Sequence, residues 1–347
     1  MTSDSAPSTA PRDPEGPHRG PERALGTGQA RPRMPLGVLV SLPSTAPQGP
    51  EGPHRGPERA LGTGPSTALG TGPSTALGTG GGDFGDRLRR IAAAGFTTMQ
   101  LIGLSDEWLA EPMRSECKRL IADSGIRVTS VAAVYEGESY ADVAAVRATV
   151  GLLPEATRAA RIQETKRCAD FANEVGSPNV SSHIGYIPED RADPTYSSLV
   201  AALQGICDYL KRPRMSFCLE TGQESAGLLR QFIGDVGREN LMVNFDPANM
   251  IAYGTGDPIE ALEVLALWVR GVHCKDAVWP KGEGQLGEER PLGEGEVGME
   301  RFLAKLKEIG YEGPLTIERE VAWEQQLGDF VRGKKLLEQL KARLGIE

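Results

Sequence analysis

The sequence is short of the residues that announce several functional classes. Its five cysteines, Cys117, Cys168, Cys207, Cys218 and Cys274, are scattered, odd in number and free of any Cys-X-X-Cys pair. That excludes a disulfide framework and a zinc ribbon and fits reduced thiols in the cytoplasm. No stretch approaches the roughly eighteen apolar residues of a membrane span, and the opening MTSDSAPSTAPRDPEG has no apolar leader core. Basic residues are in the minority, 38 Lys and Arg against 47 Asp and Glu, for a formal charge of -9. A sequence-independent grip on phosphates needs a basic face, so nucleic acid is not an expected partner. Histidine is scarcest, with four in 347 residues, and each one at a structured position therefore carries weight.

What is abundant comes first as repeats. PEGPHRGPERALGTG stands at 14–28 and again at 50–64, followed by two copies of PSTALGTG. Rich in Pro, Gly, Ser and Thr and without apolar periodicity, these units cannot bury enough surface to offset the entropy of ordering. Residues 1–33 are expected to form a disordered tail, and 43–82 a low-complexity insertion by repeat expansion. Between them MPLGVLVSLP reads as a buried first strand.

From residue 83 the chain alternates short β-branched runs with amphipathic segments of ten to twenty residues. Strands are predicted at 36–42, 97–102, 126–133, 178–183, 214–220, 241–246, 270–275 and 313–318. Helical segments fill the gaps, several closing on a glycine, as at Gly95, Gly125, Gly176, Gly237 and Gly310. Eight βα units make a (β/α)8 TIM barrel over 34–347 the expected fold. A doubly wound open sheet is the rival, but no Gly-rich phosphate fingerprint follows the first strand. The Gly-rich 281–298 likewise lacks the Lys-Ser/Thr ending of a P-loop and reads as a long loop after the seventh strand, partly covering the site. Trp279 near its start is a candidate lining residue.

In such a barrel, chemistry sits where strands end. Strand five ends MSFCLE with Glu220, strand six LMVNFD with Asp246, strand seven runs VRGVHCKD with His273, and strand eight GPLTIERE with Glu318. Each is the first ionisable group after a buried run. Such a carboxylate needs a partner or a cation, or it neutralises. One imidazole and three carboxylates form a donor set for a divalent metal ion, Mn²⁺, Mg²⁺, Co²⁺ or Zn²⁺. His18 and His54 lie in the repeats, so His273 and His183, the latter after strand four in NVSSHIGY, are the two histidines of the barrel.

With these residues in place, the chain resembles the sugar-phosphate isomerase/epimerase group of xylose-isomerase-like TIM barrels, which also contains endonuclease-IV-like proteins. The strings that carry the resemblance are LETGQE at 219–224, VNFDPANMIAYGTGDPIEAL at 243–262, VRGVHCKDA at 269–277 and PLGEGEVGMERFLAKLKEIGYEGPLTIERE at 291–320. The resemblance implies metal ligation by Glu220, Asp246, His273 and Glu318. It also implies that Glu220 and Glu318 are an acid/base pair acting on a small-molecule sugar, sugar phosphate or related polyol ketone through a metal-stabilised enediolate. His183, Gln223, Glu224, Asn249, Lys275 and Asp276 are candidates for holding substrate hydroxyls or a phosphate. The ketose 3-epimerases of the group carry a His where this chain has Asn249 and an Arg where it has Trp279, which counts against 3-epimerisation in particular. A DNA-repair nuclease and a non-catalytic sugar-binding barrel are the alternatives, and homo-oligomerisation stays open.

Overall fold

Eight of the apolar runs become the staves of one closed parallel barrel in the computed structural model, which describes residues 33–43, 84–282 and 284–347. They are β1 (Leu36–Ser41), β2 (Thr98–Ile102), β3 (Arg127–Ala132), β4 (Asn179–Ser182), β5 (Ser216–Glu220), β6 (Leu241–Phe245), β7 (Val269–Cys274) and, last in sequence, β10 (Leu315–Ile317). Two further short strands, β8 (Asp276–Val278) and β9 (Glu288–Arg290), pair antiparallel outside the barrel. Around the barrel the order is β1-β10-β7-β6-β5-β4-β3-β2, so the first and last staves close the ring. The expected (β/α)8 fold is the observed one. The expected tail and insertion, apart from Arg33 and Pro43, lie outside the described residues.

Staves covered by helices outside and side chains inside read as continuous apolar runs rather than alternating ones. β6 is the clearest case, with all five residues buried. The outer helices are amphipathic: Met299–Glu308 buries Met299, Phe302, Leu303 and Leu306, the i, i+3, i+4, i+7 stripe of one face. Phe302 stacks on Phe245 of β6 at 6.0 Å between ring centroids, locking helix to stave. Truncating such a fully buried ring to Ala costs about 3–5 kcal/mol. Among the described residues no helix is long and apolar enough to cross a membrane.

Local differences from the sequence reading have local causes. The helical segment that closes on Gly125 is split into Asp106–Leu109 and Met113–Ser124, because Pro112 lacks the N–H that would continue the first piece. A short helix, Pro247–Tyr253, follows β6 directly, capped by Asp246 with Pro247 in its first turn. The long loop after β7 begins as the β8–β9 ribbon rather than as irregular chain.

Candidate metal centre and substrate cavity

Asp246 shows how one residue serves fold and site together. Its Oδ1 accepts the N–H groups of Ala248 and Asn249 at 2.8 and 2.9 Å, capping the helix that starts at Pro247. Its Oδ2 has no hydrogen-bond partner although it is fully buried, and it stands 3.5 Å from His273 Nδ1. Glu220 closes β5, and Glu318 follows β10 immediately, its N–H bonded to the Cys274 carbonyl of β7. His273 lies within β7, and its Nδ1 is 3.5 Å from Glu220 Oε1 and 2.6 Å from Glu318 Oε2. That last pair is close but misaligned, so both atoms, like Asp246 Oδ2, lack a hydrogen bond. One donor atom from each of the four residues lies within 4.8 Å of the others.

Beneath His273 is a layer that the sequence reading did not find. Gln100 of β2 and Asn244 of β6 point into the barrel; Gln100 Oε1 stands 3.0 Å from His273 Nε2 and Gln100 Nε2 donates to Asn244 Oδ1 at 3.0 Å. Asn244 Nδ2 stands 3.0 Å from the same ring nitrogen. Two amides thus orient the ring so that Nδ1 faces the carboxylates, as outer partners do for a ligating histidine. Gln100 and Asn244 sit in runs that read as ordinary strand, and only strand-face alternation shared with His273 could have flagged them.

The electrostatics fit the same picture. For His273, burial works against the charged ring, but Glu318 and Glu220 outweigh it and push its pKa well above the usual value. Burial likewise opposes ionisation of Glu220, yet His183 and His273 hold its carboxyl well below the ordinary range. Glu318, buried too, is drawn down to about 2 by Lys275 and His273. Carboxylates crowded in a dry barrel mouth thus hold a proton on His273 when no stronger cation is beside them. Three inward atoms without hydrogen bonds, two of them carboxylate oxygens and one an imidazole nitrogen, are a donor set that a divalent cation satisfies.

The other predicted residues divide. His183, directly after β4, places Nε2 3.3 Å from Glu220 Oε1 and leaves Nδ1 unpartnered. Burial lowers its pKa, but Glu220 raises it more, to about 9. Asn249 donates to Glu220 Oε1 at 3.2 Å. Both line the inner cavity with Glu220, His273, Glu318, Leu39 and Tyr140. Lys275 is 2% exposed and held between Glu318 and Glu320, behind the cavity lining rather than on it. Gln223 and Glu224 line a neighbouring outer cleft instead, beside Tyr186 and Tyr253, where burial pushes the Glu224 carboxyl up to about 8. Asp276 is turned away: its carboxylate accepts the N–H groups of Ala277, Gly293 and Val297 and braces the loop after β7. Those bonds engage its oxygens with the loop, and it lies outside the residues lining the inner cavity. Trp279 is 38% exposed and lies outside the residues lining the inner cavity. Glu138 and Glu320, never singled out from the sequence, do line it.

A family model described as xylose isomerase-like TIM barrel matches residues 88–340. Among solved structures, a xylose isomerase domain protein from Planctomyces limnophilus is 37% identical, with a TM-score of 0.75 over 90% of this chain and 99% of that one. A D-tagatose 3-epimerase-like protein shares the fold at 21% identity, with a TM-score of 0.59 over 74% of this chain and 92% of that one. In sequence, the uncharacterized protein MJ1311 of Methanocaldococcus jannaschii is 27% identical over 201 residues, 53% of this chain and 64% of that protein, so the match spans less than two thirds of that relative.

Proposed function

This chain belongs to the xylose isomerase-like TIM barrel family, and from that footing we propose that it is a metal-dependent isomerase or epimerase of a sugar or related polyol ketone, with Glu220 and Glu318 carrying the proton. The observation that carries the reading is the meeting of Glu220, Asp246, His273 and Glu318 donor atoms within 4.8 Å of one another. These four residues would hold the ion, Mn²⁺, Mg²⁺, Co²⁺ or Zn²⁺ by their oxygen-rich chemistry. When bound, such an ion supplies Lewis acidity that lowers the cost of negative charge on a substrate oxygen.

The proton work belongs to the protein. Glu220 on β5 and Glu318 after β10 stand on different walls, with β6 and β7 between their staves. Their lowered pKa values keep both ionised at neutral pH, the form in which a carboxylate accepts a proton from the carbon beside a carbonyl. A proton taken on one face and returned from the other inverts a stereocentre. A proton moved to the neighbouring position isomerises the sugar. His183 and Asn249 fix Glu220, and Lys275 fixes Glu318 at 3.1 Å, so both bases are held before substrate arrives. Leu39, Ile102 and Ala133 give part of the wall an apolar face, which strengthens the electrostatic contacts made inside it.

The test is solvent-deuterium incorporation into keto sugars, inososes and their phosphates by metal-loaded protein. Glu220→Gln and Glu318→Gln are each expected to abolish it with an unchanged circular dichroism spectrum. Exchange at the parent rate in both variants would sink the acid/base assignment.

A further inference from the structure

The donor and acceptor pattern of the inner cavity says what kind of molecule suits it. Asn249 Oδ1 and Glu320 Oε2 are buried acceptors with no donor. Glu138, on the loop after β3, accepts the N–H of Tyr135 at 3.2 Å through Oε2 and that of Gly151 at 2.7 Å through Oε1. Two backbone bonds fix this carboxylate against the cavity and leave each oxygen further acceptor capacity. Glu138 and Glu320 flank the cavity from β3 and β10, staves separated by β2 and β1 on one side of the ring. The cavity therefore asks for hydrogen-bond donors at several points around its rim.

The cations nearby are already committed. Lys275 is held by Glu318 and Glu320, and Arg319 by Glu289 at 2.9 Å and Asp329 at 2.8 Å. His183 faces Glu220 at 3.3 Å, and His273 faces three carboxylates. Among the described residues, each cation lining the cavity faces a carboxylate, as does Lys275 behind it. A phosphate group brings further acceptor oxygens to a wall where Asn249 Oδ1 and Glu320 Oε2 already lack a donor, and a site selects against a group that leaves its buried atoms unpaired. A hydroxyl brings the donor those two atoms lack.

Resting on the reading of this cavity as a sugar site, we propose that its substrate is a neutral polyhydroxylated ketone rather than a phosphorylated one, and that Glu138 and Glu320 accept its hydroxyl protons. The two residues are substrate-holding groups at the ends of the cavity, apart from the four metal-directed residues. Discrimination follows from the same bonds: an analogue lacking the hydroxyl, or carrying a phosphoryl group on it, leaves a buried acceptor unpaired.

Calorimetric titration of the Mn²⁺-loaded full chain with matched pairs, D-fructose against its 6-phosphate and D-ribulose against its 5-phosphate, reads the preference without turnover. A neutral sugar is expected to bind at least about tenfold more tightly than its phosphate, the size of one hydrogen bond to a charged group. Glu138→Gln and Glu320→Gln are each expected to weaken neutral-sugar binding about tenfold. Glu138→Gln, whose side chain touches none of the four metal-directed residues, should keep the parent Mn²⁺ affinity. Tighter binding of the phosphates, unchanged sugar affinity in Glu138→Gln, or binding of neither member of any pair overturns the proposal. If tighter phosphate binding is lost in Arg147→Met, the outer cleft, where that guanidinium lies 3.8 Å from the Tyr186 ring centroid, reads the phosphate instead. Binding of neutral sugars without deuterium exchange would contradict the isomerase reading alone, and exchange confined to a phosphorylated sugar would contradict this inference alone.

Discussion

The two halves of the barrel do different work. Staves β5, β6, β7 and β10 bring in Glu220, Asp246, His273 and Glu318, the whole converging donor set. Staves β1 to β4 contribute none of it, yet they hold it: Gln100 from β2 fixes the His273 ring, and His183 after β4 fixes Glu220. The difference teaches that donor residues and positioning residues are separable here. Changes in the four donors should remove function outright, and changes in Gln100 or His183 should degrade it.

The largest effect is expected from Glu318→Gln or Glu220→Gln, a loss of about 10²–10⁴-fold in proton exchange, the usual worth of a positioned acid or base. Asp246→Asn and His273→Ala are next, since each removes a donor, and metal affinity measured by titration calorimetry should collapse in both. If either variant loads like the parent, the division between the halves fails. Gln100→Leu sharpens the comparison from the other side. It leaves all four donors in place but removes one of the two amides that orient the His273 ring, and metal affinity is expected to fall about 10–100-fold. An unchanged affinity would show that the first half holds nothing.

A smaller effect tests the outer cleft. The Glu224 carboxyl is raised by burial to about 8, against an ordinary value of 4.5. The folded form therefore binds a proton that the unfolded chain releases in that window, and stability falls as pH rises from 4.5 toward 8. Glu224→Gln removes that term, so the difference in melting temperature between pH 5 and pH 8 should be smaller in the variant. An identical pH dependence would place Glu224 in a wetter setting than its 6% exposure indicates. Smallest of all, Ser225→Ala deletes the side-chain cap on Leu228 N–H and should cost about 1 kcal/mol of stability with no effect on metal binding.

What could be read in advance follows from how each feature is encoded. The barrel was legible because its staves are contiguous apolar runs spaced by amphipathic segments, and strand ends locate charged side chains without knowledge of contacts. Glu220, Asp246, His273 and Glu318 were singled out that way, and the structure brings one donor atom of each within 4.8 Å of the others. Gln100 and Asn244 were not, because their place depends on register between staves far apart in sequence, β2 and β6 both meeting β7's histidine. Glu138 and Glu320 were hidden for the same reason: an acid in a loop gains meaning only from the wall it faces. Asp276 is close to His273 in sequence, but its carboxylate is engaged by backbone N–H groups up to twenty-one residues later, which no local pattern shows. Lys275 was placed near the right carboxylate, but its charge is spent between Glu318 and Glu320.

Glu220, Asp246, His273 and Glu318 are proposed to hold one divalent cation between them. Metal analysis of purified chain loaded with Mn²⁺ and freed of excess ion, run beside Asp246→Asn and His273→Ala, tests it directly. One Mn²⁺ per chain in the parent and a small fraction of that in both variants is the predicted result. A parent chain that retains no ion, or variants that retain as much as the parent, would contradict it.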